Sequence, residues 1–152
     1  MPSYFFDTSA LVKLYHNEEG SERVEELFNE RDSMVLISEM GAVEMHSALA
    51  KKVRTKEISE EQMNDALQSF YGDYVDGRIE VVAMAYAHYT DAVILILQYS
   101  TQSRLRTLDA IQLAVSMRLH GRGALTHFVC ADQVLCDVGE MVGLQVINPT
   151  VS

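Results

Sequence analysis

The sequence contains few of the residues that build disulfide frameworks and zinc sites. Its 152 residues include two cysteines, Cys130 and Cys136, which are too few for the disulfide framework of a small secreted protein. They have neither CxxC spacing nor a nearby pair of histidines, so a zinc site is also excluded. We therefore interpret both cysteines as packing residues.

Long apolar runs are absent as well. No window approaches the ~18 consecutive apolar residues of a membrane helix. The first residues also lack a basic region followed by an apolar stretch and a cleavage site. We therefore expect a protein that has no membrane span and is located in the cytoplasm.

Basic residues are outnumbered by acidic ones. Twelve lysines and arginines stand against 22 aspartates and glutamates, which gives a net charge of −10 and a pI near 4.8. This balance argues against a generally basic surface for nucleic acid, so a polyanion must be met by a local patch. The candidates are the cluster 51–56 and the pair Arg104 and Arg106, although either also fits a solvated helix end.

The rest of the composition is that of a globular domain. Hydrophobic residues make up 48% of the chain, and we expect a single domain over 1–152. Short apolar runs predict strands at Tyr4–Phe6, Met34–Ile37, Ile79–Val82, His127–Ala131 and Leu144–Ile147. Because these strands alternate with helical patterns, we predict an α/β fold of three layers, α/β/α, with a central, mainly parallel sheet of about five strands.

Hydroxyl side chains precede several of the predicted helices and are the predicted caps. One of them is followed three residues later by glutamine, which is close to a capping box. The predicted caps are Ser21, Ser38, Ser59 and Thr107.

Four acidic residues lie where a carboxylate is informative. Asp7 and Asp132 come directly after two predicted strands. Asp109 is in the first turn of a predicted helix, and Glu44 lies inside another on a small, mostly apolar stripe. Each has an ordinary explanation as a cap, a dipole partner or a solvated side chain. Together, however, they are predicted at one edge of the sheet, which is the edge where α/β proteins bind ligands.

Such a cluster of like charges needs a compensating cation. Mg²⁺ or Mn²⁺ suits carboxylates in the absence of cysteine and histidine ligands. A metal held there supports hydrolysis of a phosphodiester bond. A covalent route is less favoured, because Thr8 and Ser9 have no histidine or lysine in their motif to activate them.

Four segments together resemble the motifs of PIN-domain nucleases, in particular the VapC-like toxins of prokaryotic toxin-antitoxin pairs. The similarity extends from residue 3 to the ending at 147–149. In order, the segments are Phe5–Tyr15, Val43–Leu49, Leu105–Ala114 and Phe128–Leu135. One departure is Cys130, which stands where the family often has threonine or serine.

The resemblance implies an acidic quartet of metal ligands and catalytic residues, formed by Asp7, Glu44, Asp109 and Asp132. It also implies that Thr8 or Ser9 holds the first aspartate. The implied protein is a Mg²⁺- or Mn²⁺-dependent endoribonuclease, the toxin of a type II toxin-antitoxin system. Its implied partners are an RNA substrate, a small antitoxin and a second copy of the chain.

RNA phosphates need cationic and polar contacts besides the metal. The predicted contacts are Thr8, Ser9, Lys51, Lys52, Arg54 and Arg106. Two alternatives remain open from the sequence. One is a PIN-fold module that binds RNA or protein without cleaving it, and the other is a phosphatase or DNA flap nuclease that uses the same acids.

Overall fold

Five parallel strands form the central sheet in the computed structural model, which describes residues 1–151. The strands are β1 (Ser3–Phe6), β2 (Met34–Ser38), β3 (Ile79–Val82), β4 (His127–Val129) and β5 (Val146–Ile147). Their spatial order is β3-β2-β1-β4-β5, and every pairing between neighbours is parallel. The predicted parallel sheet of about five strands is therefore confirmed.

Seven helices connect and follow these strands within residues 1–151. They are α1 (Thr8–Tyr15), α2 (Ser21–Asn29), α3 (Glu39–Arg54), α4 (Glu60–Val75), α5 (Tyr86–Tyr99), α6 (Thr107–Gly121) and α7 (Gln133–Met141). None of the helices in this part of the chain has the length and apolarity needed to cross a membrane.

The helices cover both faces of the sheet, because successive side chains of a strand point to opposite faces. Phe5, at the middle of β1, packs into a core with α5, α6 and α7. Its neighbours Tyr4 and Phe6 pack into a second core with α1, α2, α3 and α4. The arrangement has the three predicted layers.

The strand order changes direction at β1, in the centre of the sheet, because successive strands are added first on one side of β1 and then on the other. β1 pairs with β2 on one side and with β4 on the other. The helix after β1 packs on one face of the sheet, and the helix after β4 packs on the opposite face. The carboxyl ends of β1 and β4 therefore border a crevice of the kind in which open α/β sheets bind their ligands.

Two of the four predicted caps are confirmed. Ser38 accepts the N–H of Gly41 at the start of α3, and Ser59 forms the predicted capping box with Gln62 at the start of α4.

The other two predicted caps are wrong by one residue. Gly20 caps α2 with φ of 90°, a left-handed conformation that glycine adopts without strain. The hydroxyl of Ser21 is instead used by the preceding turn, where it donates to the carbonyl of His16. At α6, Thr107 is the first helical residue and Arg106 is the cap.

Other boundaries differ slightly from prediction. β4 ends at Val129 rather than at Ala131, because the N–H of Ala131 leaves the sheet and donates to the hydroxyl of Ser9.

Cys130 and Cys136 are both buried, as expected of packing residues. Their sulfur atoms also contact each other, which the sequence analysis did not predict.

Candidate active site

All four predicted acids line one cleft of about 320 Å³ at the carboxyl edge of the sheet. Asp7 directly follows β1, and Asp132 directly precedes α7 beside the end of β4. Glu44 reaches the cleft from α3, and Asp109 reaches it from the first turn of α6. The fold thus brings together four residues that span most of the chain, and their roles as metal ligands stay a prediction.

Asp7 is held rigidly at the centre of the sheet. Its N–H donates to the carbonyl of Val129 at 3.1 Å, which extends the pairing of β1 with β4 by one residue. Its Oδ1 atom accepts the N–H of Ala10 at 3.0 Å and the hydroxyl of Ser9 at 2.6 Å. Of the two predicted positioning hydroxyls, Ser9 is therefore the one that holds this aspartate.

Thr8 positions a different acid. Its hydroxyl donates to Oε1 of Glu44 at 3.0 Å. The side-chain amide of Gln112 donates to the same oxygen at 3.3 Å and to the hydroxyl of Thr8 at 3.2 Å. Gln112 is buried, and its own oxygen accepts the hydroxyl of Ser38 at 2.7 Å. Three elements thus fix the orientation of the Glu44 carboxylate.

Asp109 and Asp132 are joined through Arg106. Oδ2 of Asp109 accepts the backbone N–H of Arg106 at 3.2 Å and lies 3.4 Å from its Nε. Oδ2 of Asp132 lies 3.7 Å from Nη2 of the same guanidinium. The other oxygen of Asp132 caps α7 by accepting the N–H of Leu135 at 3.0 Å. An arginine side chain therefore lies among the acids.

The acids share a hydrogen-bonding pattern that suits a metal. Asp7, Glu44 and Asp109 each bind protein donors through one oxygen. Within residues 1–151 the second oxygen of each accepts no hydrogen bond. Carboxylates that are oriented through one oxygen and open at the other form the oxygen donor set that Mg²⁺ or Mn²⁺ prefers. The residues present therefore fit such an ion.

The electrostatics of the cleft also favour a bound cation. Burial raises the pKa of Asp7 to about 7, and the charges of Asp109 and Glu44 add to that rise. Burial likewise raises the pKa of Glu44 and of Asp109 above their ordinary values, and in both cases a neighbouring acid contributes. A divalent cation would lower all three pKa values by favouring the ionised carboxylates.

Of the predicted RNA contacts, some line the cleft and others do not. The residues in the cleft are Thr8, Ser9, Lys52 and Arg106, whereas Lys51 and Arg54 are exposed on α3 outside it. Lys52 lies eight residues after Glu44 on α3, and its ammonium is 3.3 Å from Oε2 of Glu18.

The sequence analysis missed three polar residues of the cleft, Lys13, Glu18 and Gln112. Lys13 is buried, and its ammonium lies 3.2 Å from Glu18. Gln112 had a usable signal, because it follows Asp109 by three residues on α6 and so shares its helical face. The sequence contains no comparable signal for Lys13 and Glu18, since their pairing is visible only in the folded chain.

A second cluster lies beside the cleft but differs from the acidic quartet. Atoms of His16, Glu18 and Glu57 that could ligate a metal lie within 4.8 Å of one another. The ammonium of Lys52 lies 3.3 Å from Glu18 and 3.2 Å from Glu57. The lysine therefore already supplies the cation for these two glutamates.

Solved structures with the same fold include three from bacterial toxin-antitoxin systems. VapC20 of Mycobacterium tuberculosis, described as a sarcin-ricin loop cleaving toxin, has a TM-score of 0.69 at 14% identity, covering 96% of this chain and 99% of that chain. VapBC2 of Rickettsia felis, bound to a DNA fragment from its promoter, has a TM-score of 0.64 at 15% identity, covering 96% and 98%. A toxin-antitoxin complex of Klebsiella pneumoniae has a TM-score of 0.62 at 18% identity, covering 96% and 97%.

At these identities the structural likeness shows a shared fold. No curated protein sequence gives a significant match. A family model described as PIN domain matches residues 4–139, a span that contains all four acids of the cleft. The chain therefore belongs to the PIN domain family.

Proposed function

We propose that this protein is a Mg²⁺- or Mn²⁺-dependent endoribonuclease and the toxin of a type II toxin-antitoxin system, acting in the cytoplasm as a single domain. The observation that carries the proposal is the set of four carboxylates lining one cleft, three of which keep an open oxygen. Membership of the PIN domain family supports a nuclease.

The catalytic roles follow from the contacts of each acid. Ser9 and the N–H of Ala10 hold one oxygen of Asp7, so the other would be available to ligate the ion. Thr8 and Gln112 do the same for Glu44. When bound, a divalent cation supplies an activated water and offsets the charge on the phosphoryl oxygens.

RNA is the proposed substrate, and two cations of the cleft are its proposed contacts. Lys52 and Arg106 both line the cleft beside the acids. Positive side chains beside the acids can contact the phosphates that flank the scissile bond. The fold shared with VapC20, which is described as cleaving the sarcin-ricin loop, supports RNA over other phosphodiesters.

A small basic antitoxin is the proposed inhibitor. Two of the solved structures with this fold are complexes of a toxin-antitoxin pair. Beside the acidic cleft lies a larger one of about 720 Å³, whose lining mixes apolar residues with four acids and Arg78. With the net charge of −10, this surface favours a partner that is basic and amphipathic.

The proposal is tested by RNA cleavage with matched variants. Purified protein is incubated with structured RNAs in Mn²⁺, in Mg²⁺ and in EDTA, beside Asp7→Asn and Asp137→Asn. Asp137 is a suitable control because it is exposed, lies outside the cleft lining and accepts a hydrogen bond from the side-chain amide of Gln133. We expect cleavage by wild type and by Asp137→Asn in the presence of metal, and a loss of at least about 100-fold in Asp7→Asn.

Cleavage that persists in EDTA or in Asp7→Asn would contradict the metal-dependent mechanism. Preferential cleavage of single-stranded or flap DNA would contradict the choice of RNA. A protein that neither binds Mn²⁺ nor cleaves any of these substrates would instead be a PIN-fold binding module.

A further inference from the structure

Arg106 places a positive charge beside Asp109 and Asp132, two acids that would also hold a metal ion. Its Nε lies 3.4 Å from Oδ2 of Asp109, and its Nη2 lies 3.7 Å from Oδ2 of Asp132. The two aspartates belong to different helices, so the guanidinium bridges them across the cleft. Its positive charge also favours the ionised form of the Glu44 carboxyl group. A cation from the chain itself therefore compensates part of the acidic cluster.

The backbone of Arg106 is held by a hydrogen bond, whereas its side chain is largely exposed. The residue caps α6 in an extended conformation, and its N–H donates to Asp109 at 3.2 Å. The side chain is 75% exposed. Ion pairs at such exposure contribute little stability, so a divalent ion can displace the guanidinium at low cost. The anchored backbone keeps the displaced side chain at the mouth of the cleft.

We infer that Arg106 is an internal competitor of the catalytic metal and is released to the RNA phosphate when the metal binds. The inference rests on the proposed metal-dependent function. A guanidinium and a divalent ion repel each other, and both interact with Asp109 and Asp132, so one excludes the other from these carboxylates. Once released, the side chain is close enough to the cleft to contact a phosphate.

This exchange couples metal binding to RNA binding. Metal in the cleft frees Arg106 for the phosphate, and RNA that holds Arg106 removes it from the carboxylates. By linkage each ligand therefore raises the affinity for the other. The chain binds metal weakly on its own and more tightly in the presence of substrate.

The test is calorimetric titration of the full chain with MnCl₂ at constant pH and without RNA. We expect Arg106→Gln to bind Mn²⁺ about threefold to tenfold more tightly than wild type, because two exposed ion pairs no longer compete. Arg106→Lys keeps the charge but cannot bridge both carboxylates, so its affinity should lie between the two. Arg104→Gln makes the same change in charge two residues away, and it should stay within about twofold of wild type.

A second readout separates competition from a structural role. At saturating Mn²⁺, Arg106→Gln should have a lower kcat/KM for RNA than wild type although it binds the metal more tightly. A substitution that merely damaged the site would weaken both. Equal or weaker Mn²⁺ binding in Arg106→Gln than in Arg104→Gln would overturn the inference and leave the metal-dependent function intact. Absence of Mn²⁺ binding in wild type and in Arg106→Gln would overturn both.

Discussion

The buried carboxyl group of Asp7 makes the stability of the metal-free protein depend on pH. Its pKa is raised to about 7 in the folded chain, whereas an unfolded chain has an aspartate of pKa about 4. The folded state therefore holds this proton more tightly than the unfolded state. The resulting stabilisation is complete below about pH 4 and is lost as the pH rises to about 7. The raised pKa values of Glu44 and Asp109 act in the same direction.

Replacing Asp7 by asparagine should remove most of this pH dependence. The asparagine oxygen can still accept from Ser9 and from Ala10, but it cannot ionise. In EDTA at pH 8 we expect Asp7→Asn to be more stable than wild type by about 2 to 4 kcal/mol, with a smaller difference at pH 5. Urea unfolding at four pH values between 5 and 8 measures this, with Asp137→Asn as the control. Parallel pH profiles for wild type and Asp7→Asn would contradict it.

At the scale of single residues, the sequence predicted which acids lie together in the cleft. It did not predict which side chains form hydrogen bonds or ion pairs with them. The four acids could be predicted because each stands at a recognisable place relative to a strand or a helix. Whether Thr8 or Ser9 holds Asp7 could not be decided, since adjacent hydroxyls match the motif equally well. Likewise, the choice of Lys52 over Lys51 depends on Glu18, which lies 34 residues away in the chain.

At the scale of elements, the position of α7 decides where Asp132 lies. The helix packs closely on the sheet through Gly139, where an added Cβ would lie 3.1 Å from Cγ2 of Val146 and 3.5 Å from Cδ1 of Phe128. A side chain there would push α7 away from β4 and β5. Because Asp132 caps the same helix, this displacement would also move a predicted metal ligand.

Alanine at position 139 should therefore destabilise the protein. Overpacking costs about 1 to 3 kcal/mol and outweighs the gain of about 1 kcal/mol in helix propensity, so we expect Gly139→Ala to lose about 1 kcal/mol. The matched control is Gly72→Ala on α4, where an added Cβ meets nothing within 4 Å. That variant should gain about 0.5 to 1 kcal/mol. Thermal unfolding measures both, and a shift of the same sign in the two variants would contradict the prediction.

The order of the elements was readable from the sequence, whereas their ends were less so. Alternating strand and helix patterns predicted the parallel sheet, because short buried runs and helical spacing differ clearly in period. The boundaries of β4 and α2 depend on Ser9 and Ser21, whose hydroxyls bond to backbone atoms elsewhere. Local propensity carries no information about such contacts.

At the scale of the whole molecule, one helix leaves an apolar stripe uncovered. Four residues of α5 recur at spacings of three, four and seven and are exposed on the same face. The stripe consists of Tyr86, Tyr89, Val93 and Leu97. An exposed apolar stripe on a helix is typical of a protein interface. We propose that the homodimer implied by the family resemblance forms through this stripe, since an isologous contact needs one self-complementary patch.

A charge placed in this stripe should separate the dimer. Leu97 is 72% exposed, so Leu97→Asp should leave the fold intact and give a monomer. Light scattering after size-exclusion chromatography measures the mass. The control is Val75→Asp at the end of α4, which is 79% exposed and lies outside the stripe, and it should remain dimeric. A dimeric Leu97→Asp would contradict this location of the interface, and a monomeric wild type would contradict the homodimer.

The position of β1 between β2 and β4 also sets the point in synthesis at which the candidate active site can form. Asp7 leaves the ribosome well before His127–Val129, the strand with which β1 pairs. Ser9, which positions Asp7, is itself bonded to Ala131. A nascent chain that has not yet emerged past β4 therefore lacks Asp132. It also lacks the contacts from Val129 and Ala131 that hold Asp7 and Ser9 in place. Within the proposed function, a ribosome translating this toxin is protected from its product until β4 and Asp132 have emerged.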